Sequence, residues 1–160
     1  INMDKIPFTI FGLDKIKSEL IKLKKEDRPA IIKAISVARE HGDLKENAEY
    51  HAAKDKQSFT EGRISELEDV TSRANIIDLS KLTGKTVTFG TKVKIIDEET
   101  DQETIYKIVG PYEADLDTGL ISIASPIAKA LIGKELGSSV EVSTPRGTKN
   151  YEILSIDIIK

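Results

Sequence analysis

Leu13, Ile16, Leu20 and Leu23 recur at steps of three and four, and Ile31, Ile35 and Ala38 carry the stripe onward, so residues 13 to 40 predict a helix with one apolar seam. A seam of that length needs a partner helix. Asp27-Arg28-Pro29 interrupts it, and because proline lacks a backbone donor and crowds the preceding turn, a kink or brief break is expected there. His41-Gly42-Asp43 then reads as the end of one helix and the capped start of another. The second helix is expected from about Leu44 to about Ala74, its inward face carrying Leu44, Ala48, Ala52, Phe59, Leu67 and Val70. Ala48 and Ala52 would let the backbones approach closely near the turn. About thirty residues at ~1.5 Å rise would make an arm of roughly 45 Å. That exceeds what a compact domain needs, so the arm reads as built for reach.

From about Thr86 the period changes to two. Val87-Thr88-Phe89, Val93-Lys94-Ile95-Ile96, Ile105-Tyr106-Lys107-Ile108-Val109, Leu120-Ile121-Ser122-Ile123, Val140-Glu141-Val142 and Tyr151-Glu152-Ile153-Leu154 read as strands separated by turn signals. Ser125-Pro126-Ile127 opens a short apolar helix, with serine as cap, proline at the first helical position and Gly133 as the stop. The expected layout is α+β: an antiparallel α-helical coiled-coil hairpin over 1–77 with its tip at about 41–47, a linker over 78–85, and a small α+β domain over 86–160.

Composition removes several classes of function. The chain has no cysteine, which excludes disulfides, thiol nucleophiles and a zinc ribbon together. Its formal net charge is −3. Residues 1–77 hold 14 Lys/Arg against 14 Asp/Glu, and 78–160 hold 10 against 13, so neither half suits blanket phosphate neutralisation. Any nucleic-acid contact should be local. No apolar run approaches the roughly 18 residues that suggest a membrane span. Ile1-Asn2-Met3-Asp4-Lys5 lacks a basic-then-apolar export pattern, so a cytoplasmic protein is expected, and Met3 reads as a start residue.

Asp43 and Glu46 stand three apart where the second helix is expected to begin, so both could face beyond the end of the hairpin. The same spacing fits a capping box, in which each side chain satisfies a free backbone amide. From these two residues alone the cap is the simpler reading. His41 and His51 invite a metal or acid–base role. Capping or solvation of helix ends is preferred for them, because no second nitrogen donor is adjacent in sequence.

The run from Ala38 to Lys54, Ala38-Arg39-Glu40-His41-Gly42-Asp43-Leu44-Lys45-Glu46-Asn47-Ala48-Glu49-Tyr50-His51-Ala52-Ala53-Lys54, closely resembles the hairpin tip of bacterial Gre-type transcript cleavage factors of the GreA kind. The similarity continues through Phe59, Glu61-Gly62-Arg63-Ile64, Asn75-Ile76-Ile77-Asp78, Ile108-Val109-Gly110, Glu113-Ala114-Asp115, Leu120-Ile121-Ser122 and Ser125 to Lys134. It spans nearly the whole chain and is least diagnostic over 97–104 and 135–150.

The resemblance implies a coiled-coil hairpin followed by an FKBP-like domain without prolyl isomerase duty. It implies that the globular domain docks at the rim of the RNA polymerase secondary channel through Ser125, Pro126 and Ile127 while the hairpin passes inward. There Asp43 and Glu46 would help hold a weakly bound second Mg²⁺, shared with the polymerase and not bound tightly by this chain. The substrate would be the 3′ end of backtracked nascent RNA, with Arg39 and Lys54 as a small patch facing it. Lys45, Asn47 and Tyr50 would support the tip, either holding the turn or touching polymerase. By this account the protein is not an enzyme but an accessory factor that lends carboxylates to another active site and rescues arrested complexes.

A Gre-fold regulator that occupies the channel without stimulating cleavage is the alternative, and the intact Asp43-Leu44-Lys45-Glu46 speaks against it. The neutral hairpin favours GreA-like release of very short fragments over the behaviour of the sister factor GreB. A prolyl isomerase rests on fold alone, and residues 78–160 offer only Phe89, Tyr106, Tyr112 and Tyr151 to line a pocket.

Overall fold

The structure is a computed structural model that describes residues 4–160; the reading of Met3 as a start lies outside them. The chain divides into two compact units, Leu13–Ala74 in one and Asp4–Gly12 with Asn75–Lys160 in the other. This division differs from the expected 1–77, 78–85 and 86–160. Two short strands, β1 (Ile6–Phe8) and β2 (Ala74–Ile76), pair as a two-stranded sheet that periodicity did not reveal. The segment expected as a linker holds a single 3₁₀ turn at Leu79–Lys81, whose cap Asp78 accepts from the Ser80 amide.

In the helical unit, α1 (Ile10–Lys22) runs into a π-helical turn at Leu23–Asp27 and on into α2 (Arg28–Arg39) without interruption. Pro29 explains the wide turn. An α-helical path would press its ring against the Lys25 carbonyl, whereas here the Arg28 amide reaches back five residues to the Leu23 carbonyl. The expected break is thus a bulge. Leu13, Ile16, Ile31, Ile35 and Ala38 are buried and Leu20 and Leu23 half-buried, which is the seam read from sequence.

The partner helix α3 (Ala48–Ser72) is shorter than expected, and its 25 residues at ~1.5 Å rise measure about 37 Å instead of roughly 45 Å. Its inward face is also turned from the expected one. Thr60, Ile64, Leu67 and Val70 are buried, and the same face continues to the tip through half-buried Gln57, Ala53, Tyr50 and Asn47. Ala48 and Ala52 are exposed, Leu44 is 39% exposed and lies before the helix, and Phe59 is 75% exposed. Phe59 misled because it is the largest apolar residue in its stretch. It stands one residue, hence about 100° around the helix, from the buried Thr60.

Because the middle of the α3 seam is polar, charged pairs help set its register. Arg28 forks onto Glu61 at 2.7 and 2.9 Å, Arg63 forks onto Glu19 at 2.7 and 3.1 Å, and Lys24 meets Glu68 at 2.6 Å. The Arg28 guanidinium holds the Glu61 carboxyl below its ordinary range by direct hydrogen bonding. Exposed pairs of this kind contribute about 0–1 kcal/mol each, so their role is alignment more than stability.

In the other unit, strands β3 (Thr91–Asp97), β4 (Glu103–Val109), β5 (Leu120–Ser122), β6 (Ser139–Thr144) and β7 (Gly147–Ile158) form one sheet in the order β5-β4-β3-β7-β6. Neighbours are antiparallel except β4 and β5, which are parallel. Strict alternation in β3 buries Thr91, Val93, Ile95 and Asp97, and a register shift at Lys94/Ile95 accommodates β7. The core gathers Val93, Ile95, Ile108, Ile121 and Ile153 with Ala128 and Leu131 of the short helix α4 (Pro126–Leu131). This is the expected α+β domain.

Val87-Thr88-Phe89 is not a strand. Thr86 makes an isolated bridge to Glu135, Val87 exchanges backbone hydrogen bonds with Gly133 and Lys134, and the chain then turns at Gly90 with φ +88°.

Glu113 carries out a local task that spacing alone did not reveal. Its carboxylate accepts the amide and hydroxyl of Thr9 and the Gly110 amide, while the Thr9 hydroxyl accepts from the Gly12 amide to cap α1. A Cβ at position 12 would overlap the Glu113 carboxylate and push it from its bonds to Thr9 and Gly110.

The revised phase of α3 has a measurable consequence. Leu67→Ala should cost about 2–5 kcal/mol, whereas Phe59→Ala should stay within ~0.5 kcal/mol. Urea unfolding of the two variants checks this, and comparable losses would restore Phe59 to the seam.

Candidate functional site: the hairpin tip

The tip is a non-helical loop over 40–47. Helix α2 closes with tightened bonds, the Glu40, His41 and Gly42 amides donating to the Val37, Ala38 and Arg39 carbonyls, and Gly42 leaves at φ +104°. The next helix does not begin at Leu44. Its cap is Asn47, whose Oδ1 accepts the Tyr50 amide at 3.0 Å while its Nδ2 donates to the Ala38 carbonyl at 2.7 Å. One carboxamide therefore satisfies the start of α3 and adds a second donor to the Ala38 carbonyl, which also accepts from the His41 amide, at the end of α2.

This arrangement removes the capping-box reading of Asp43 and Glu46. Neither belongs to a capping box, because Asn47 occupies the cap and both acidic residues precede it. Asp43 Oδ1 accepts the Lys45 amide at 3.0 Å, a local turn that uses one oxygen and leaves the residue exposed. Glu46 is exposed, and its carboxylate has no hydrogen bond or ion pair among the described residues. The loop thus displays both carboxylates.

Arg39 lies with its guanidinium carbon 6.0 Å from the centre of the Tyr50 ring, a cation–π contact across the two helices. Tyr50 is half-buried and meets the His51 ring edge-on at 5.6 Å. Lys54 donates to Gln57 Oε1 at 3.0 Å along α3. Lys45 contributes its backbone to the loop, its amide going to Asp43 and its carbonyl standing 3.0 Å from His51 Nε2. His41 is exposed. The bond from His51 joins residues six apart across a loop of irregular path, and no periodicity could have shown it.

Ser125, Pro126 and Ile127 open α4. The Ser125 hydroxyl accepts the Ala128 amide at 3.3 Å, Pro126 is the exposed first helical residue, and Ile127 is half-buried against the core. Among the described residues no group of three or more His, Asp or Glu side chains could hold a metal ion, and no helix is long and apolar enough to cross a membrane.

One unit is a helical hairpin that exposes two carboxylates in its loop, and the other is a small sheet domain of the same chain. Comparison with known proteins names the class. Residues 6–76 match the family model for the transcription elongation factor N-terminal domain, and 82–158 match that for the GreA/GreB C-terminal domain. The chain belongs to the GreA/GreB family of transcription elongation factors.

Within that family it is 60% identical over 154 residues to the transcription elongation factor GreA of Rhodospirillum rubrum, covering 96% of this chain and 98% of that one. The GreA of Allorhizobium ampelinum is 58% identical over 155 residues, covering 97% and 98%. Among solved structures, GreA factor homolog 1 of Thermus thermophilus aligns over 95% of this chain and 98% of its own, at 29% identity with a TM-score of 0.44.

The geometry makes Asn47 the residue on which the tip depends. Asn47→Ala would leave the Tyr50 amide without its partner and remove one of the two bonds to the Ala38 carbonyl, and should destabilise the hairpin by about 1–2 kcal/mol. Thermal unfolding followed by circular dichroism measures it; an unshifted transition would show that solvent replaces both bonds.

Proposed function

We propose that this protein enters the secondary channel of bacterial RNA polymerase with its hairpin foremost and stimulates the polymerase's own cleavage of backtracked RNA. Membership of an elongation factor family supports the setting. The observation that carries the chemistry is the display of Asp43 and Glu46 in a loop outside both helices, at the end of an arm about 37 Å long.

The donor set fits a shared Mg²⁺. Carboxylate oxygens suit a hard cation that keeps several waters and takes one or two carboxylates. Two such groups do not make a tight site, which suits an ion held mainly by a partner. When bound, Mg²⁺ would orient and acidify water and offset charge on the attacking and leaving oxygens. Glu46, unengaged, and the second oxygen of Asp43 are the groups this chain brings to it. Two carboxylates delivered beside an acidic centre without the ion would repel it strongly, so ion and factor should bind cooperatively.

Arg39 and Lys54 are exposed on the two helices beside the tip, where a phosphate of the extruded RNA could displace their present weak partners. The exposed Pro126 ring and its neighbours Ser125 and Ile127 would meet the channel rim. The protein remains an accessory factor acting in the cytoplasm, and the cleaved RNA ends in a new 3′ terminus that polymerase extends. Short fragments of the GreA type are expected from the neutral hairpin.

Asp43→Asn with Glu46→Gln should leave polymerase binding intact and abolish stimulated shortening of RNA in a stalled, backtracked complex. Normal cleavage by the double variant would sink the carboxylate role, and absence of cleavage even with the unaltered protein would favour the binding-only regulator. Pro126→Ala should weaken binding to polymerase in a competition assay while the tip still supports cleavage at saturating protein. An unchanged affinity would remove Pro126 from the docking surface.

A further inference from the structure

Three peptide planes separate Asp43 from Glu46 in the loop, and the last two are each held by one side chain. The Leu44–Lys45 plane is held through its amide, which donates to Asp43 Oδ1 at 3.0 Å. The Lys45–Glu46 plane contains the Lys45 carbonyl, 3.0 Å from His51 Nε2. Because a peptide unit is planar, fixing that carbonyl also fixes the Glu46 amide and the direction in which the Glu46 Cα leaves the loop. Without His51, the loop would keep only the Asp43 turn between Gly42 and the Asn47 cap.

We infer that His51 is a positioning residue, setting the Lys45–Glu46 peptide plane so that Glu46 is presented alongside Asp43 to the ion that both serve. The inference rests on the proposed cleavage function and deepens it. His51 is suited to the task by its own supports. It lies in the first turn of α3, its amide donates to the Asn47 carbonyl at 3.1 Å, and its ring meets the edge of Tyr50, which in turn carries Arg39.

A carbonyl only accepts, so the contact requires a proton on Nε2, which for the neutral ring specifies one tautomer. His51 neither touches the ion nor transfers a proton to substrate here. It acts through the backbone, as partners behind metal ligands do.

The substitutions that test this differ in where they place a donor. Glutamine carries its amide nitrogen close to the reach of Nε2, whereas asparagine ends near the position of Nδ1. In cleavage assays on a backtracked polymerase with Mg²⁺ titrated, His51→Ala and His51→Asn should raise the Mg²⁺ concentration for half-maximal stimulated cleavage about 10-fold. Polymerase affinity should not change, and His51→Gln should restore most of the loss. In the free protein, ¹⁵N spectra of the neutral imidazole should report a protonated Nε2, and exchange of the Lys45 amide should quicken in His51→Ala and recover in His51→Gln.

An unchanged Mg²⁺ requirement in His51→Ala, failure of glutamine to rescue, or an unprotonated Nε2 would each overturn the assignment. Should His51→Ala lose helicity, the folded glutamine and asparagine variants decide by the same measurements. Asp43→Asn with Glu46→Gln is run alongside. If that double variant cleaves normally, it is the functional reading that fails, and amide exchange at Lys45 then decides alone whether His51 orders the loop.

Discussion

The carboxamide of Asn47 is the constraint from which the working end of this protein follows. It must donate to the last turn of α2 and accept from the first turn of α3 at once, at 2.7 and 3.0 Å. A side chain that closes both helices from one position leaves 43–46 outside the helical bonding of either. The acidic residues in that stretch are therefore free of capping duty, and they remain in water. Had α3 begun at Leu44, Asp43 and Glu46 would have been occupied by the helix they introduce.

Behind the tip, the hairpin is held by unlike means along its length. Apolar burial dominates where Ile64, Leu67 and Val70 lie on the inward face, and polar groups take over toward Gln57 and Thr60. There the forked Arg28–Glu61 and Arg63–Glu19 pairs constrain register where packing alone is permissive. The wide turn at Leu23–Asp27 keeps the first helical arm of the hairpin continuous across Pro29, so helical support extends on both sides of the proline. A stiff spacer is what a tip needs if its two carboxylates are to arrive at a defined place.

The sheet domain is organised on a different principle. Alternation in β3 and the packing of α4 onto the sheet depend on burial, while local polar groups settle the connections: Ser125 caps α4, and Glu113 secures Thr9 and Gly110. The exposed Pro126 is displayed by the same cap that starts its helix. Capping and presentation are compatible at Ser125-Pro126, whereas at Asp43 and Glu46 the structure separates them.

Much of this architecture was legible in the residues. The seam from Leu13 to Ala38, the change of period near Thr86, the turn at His41-Gly42 and the start of α4 are local properties, set by side-chain size, proline's missing donor and glycine's freedom at positive φ. The family likeness at Ala38–Lys54 pointed to the tip residues as well. What sequence could not decide was the phase of α3, because between Asn47 and Thr60 too few apolar residues exist to define a face and the largest, Phe59, points outward. Nor could it choose Asn47 over Asp43 as the cap, since both are competent alone and only the nearby Ala38 carbonyl distinguishes them. The pairing of β1 with β2, the placement of Glu113 over Gly12 and the bond from His51 to Lys45 belong to the same category. Each depends on groups that become neighbours only after the chain has folded, so the tertiary structure, not local preference, selects among chemically equivalent partners.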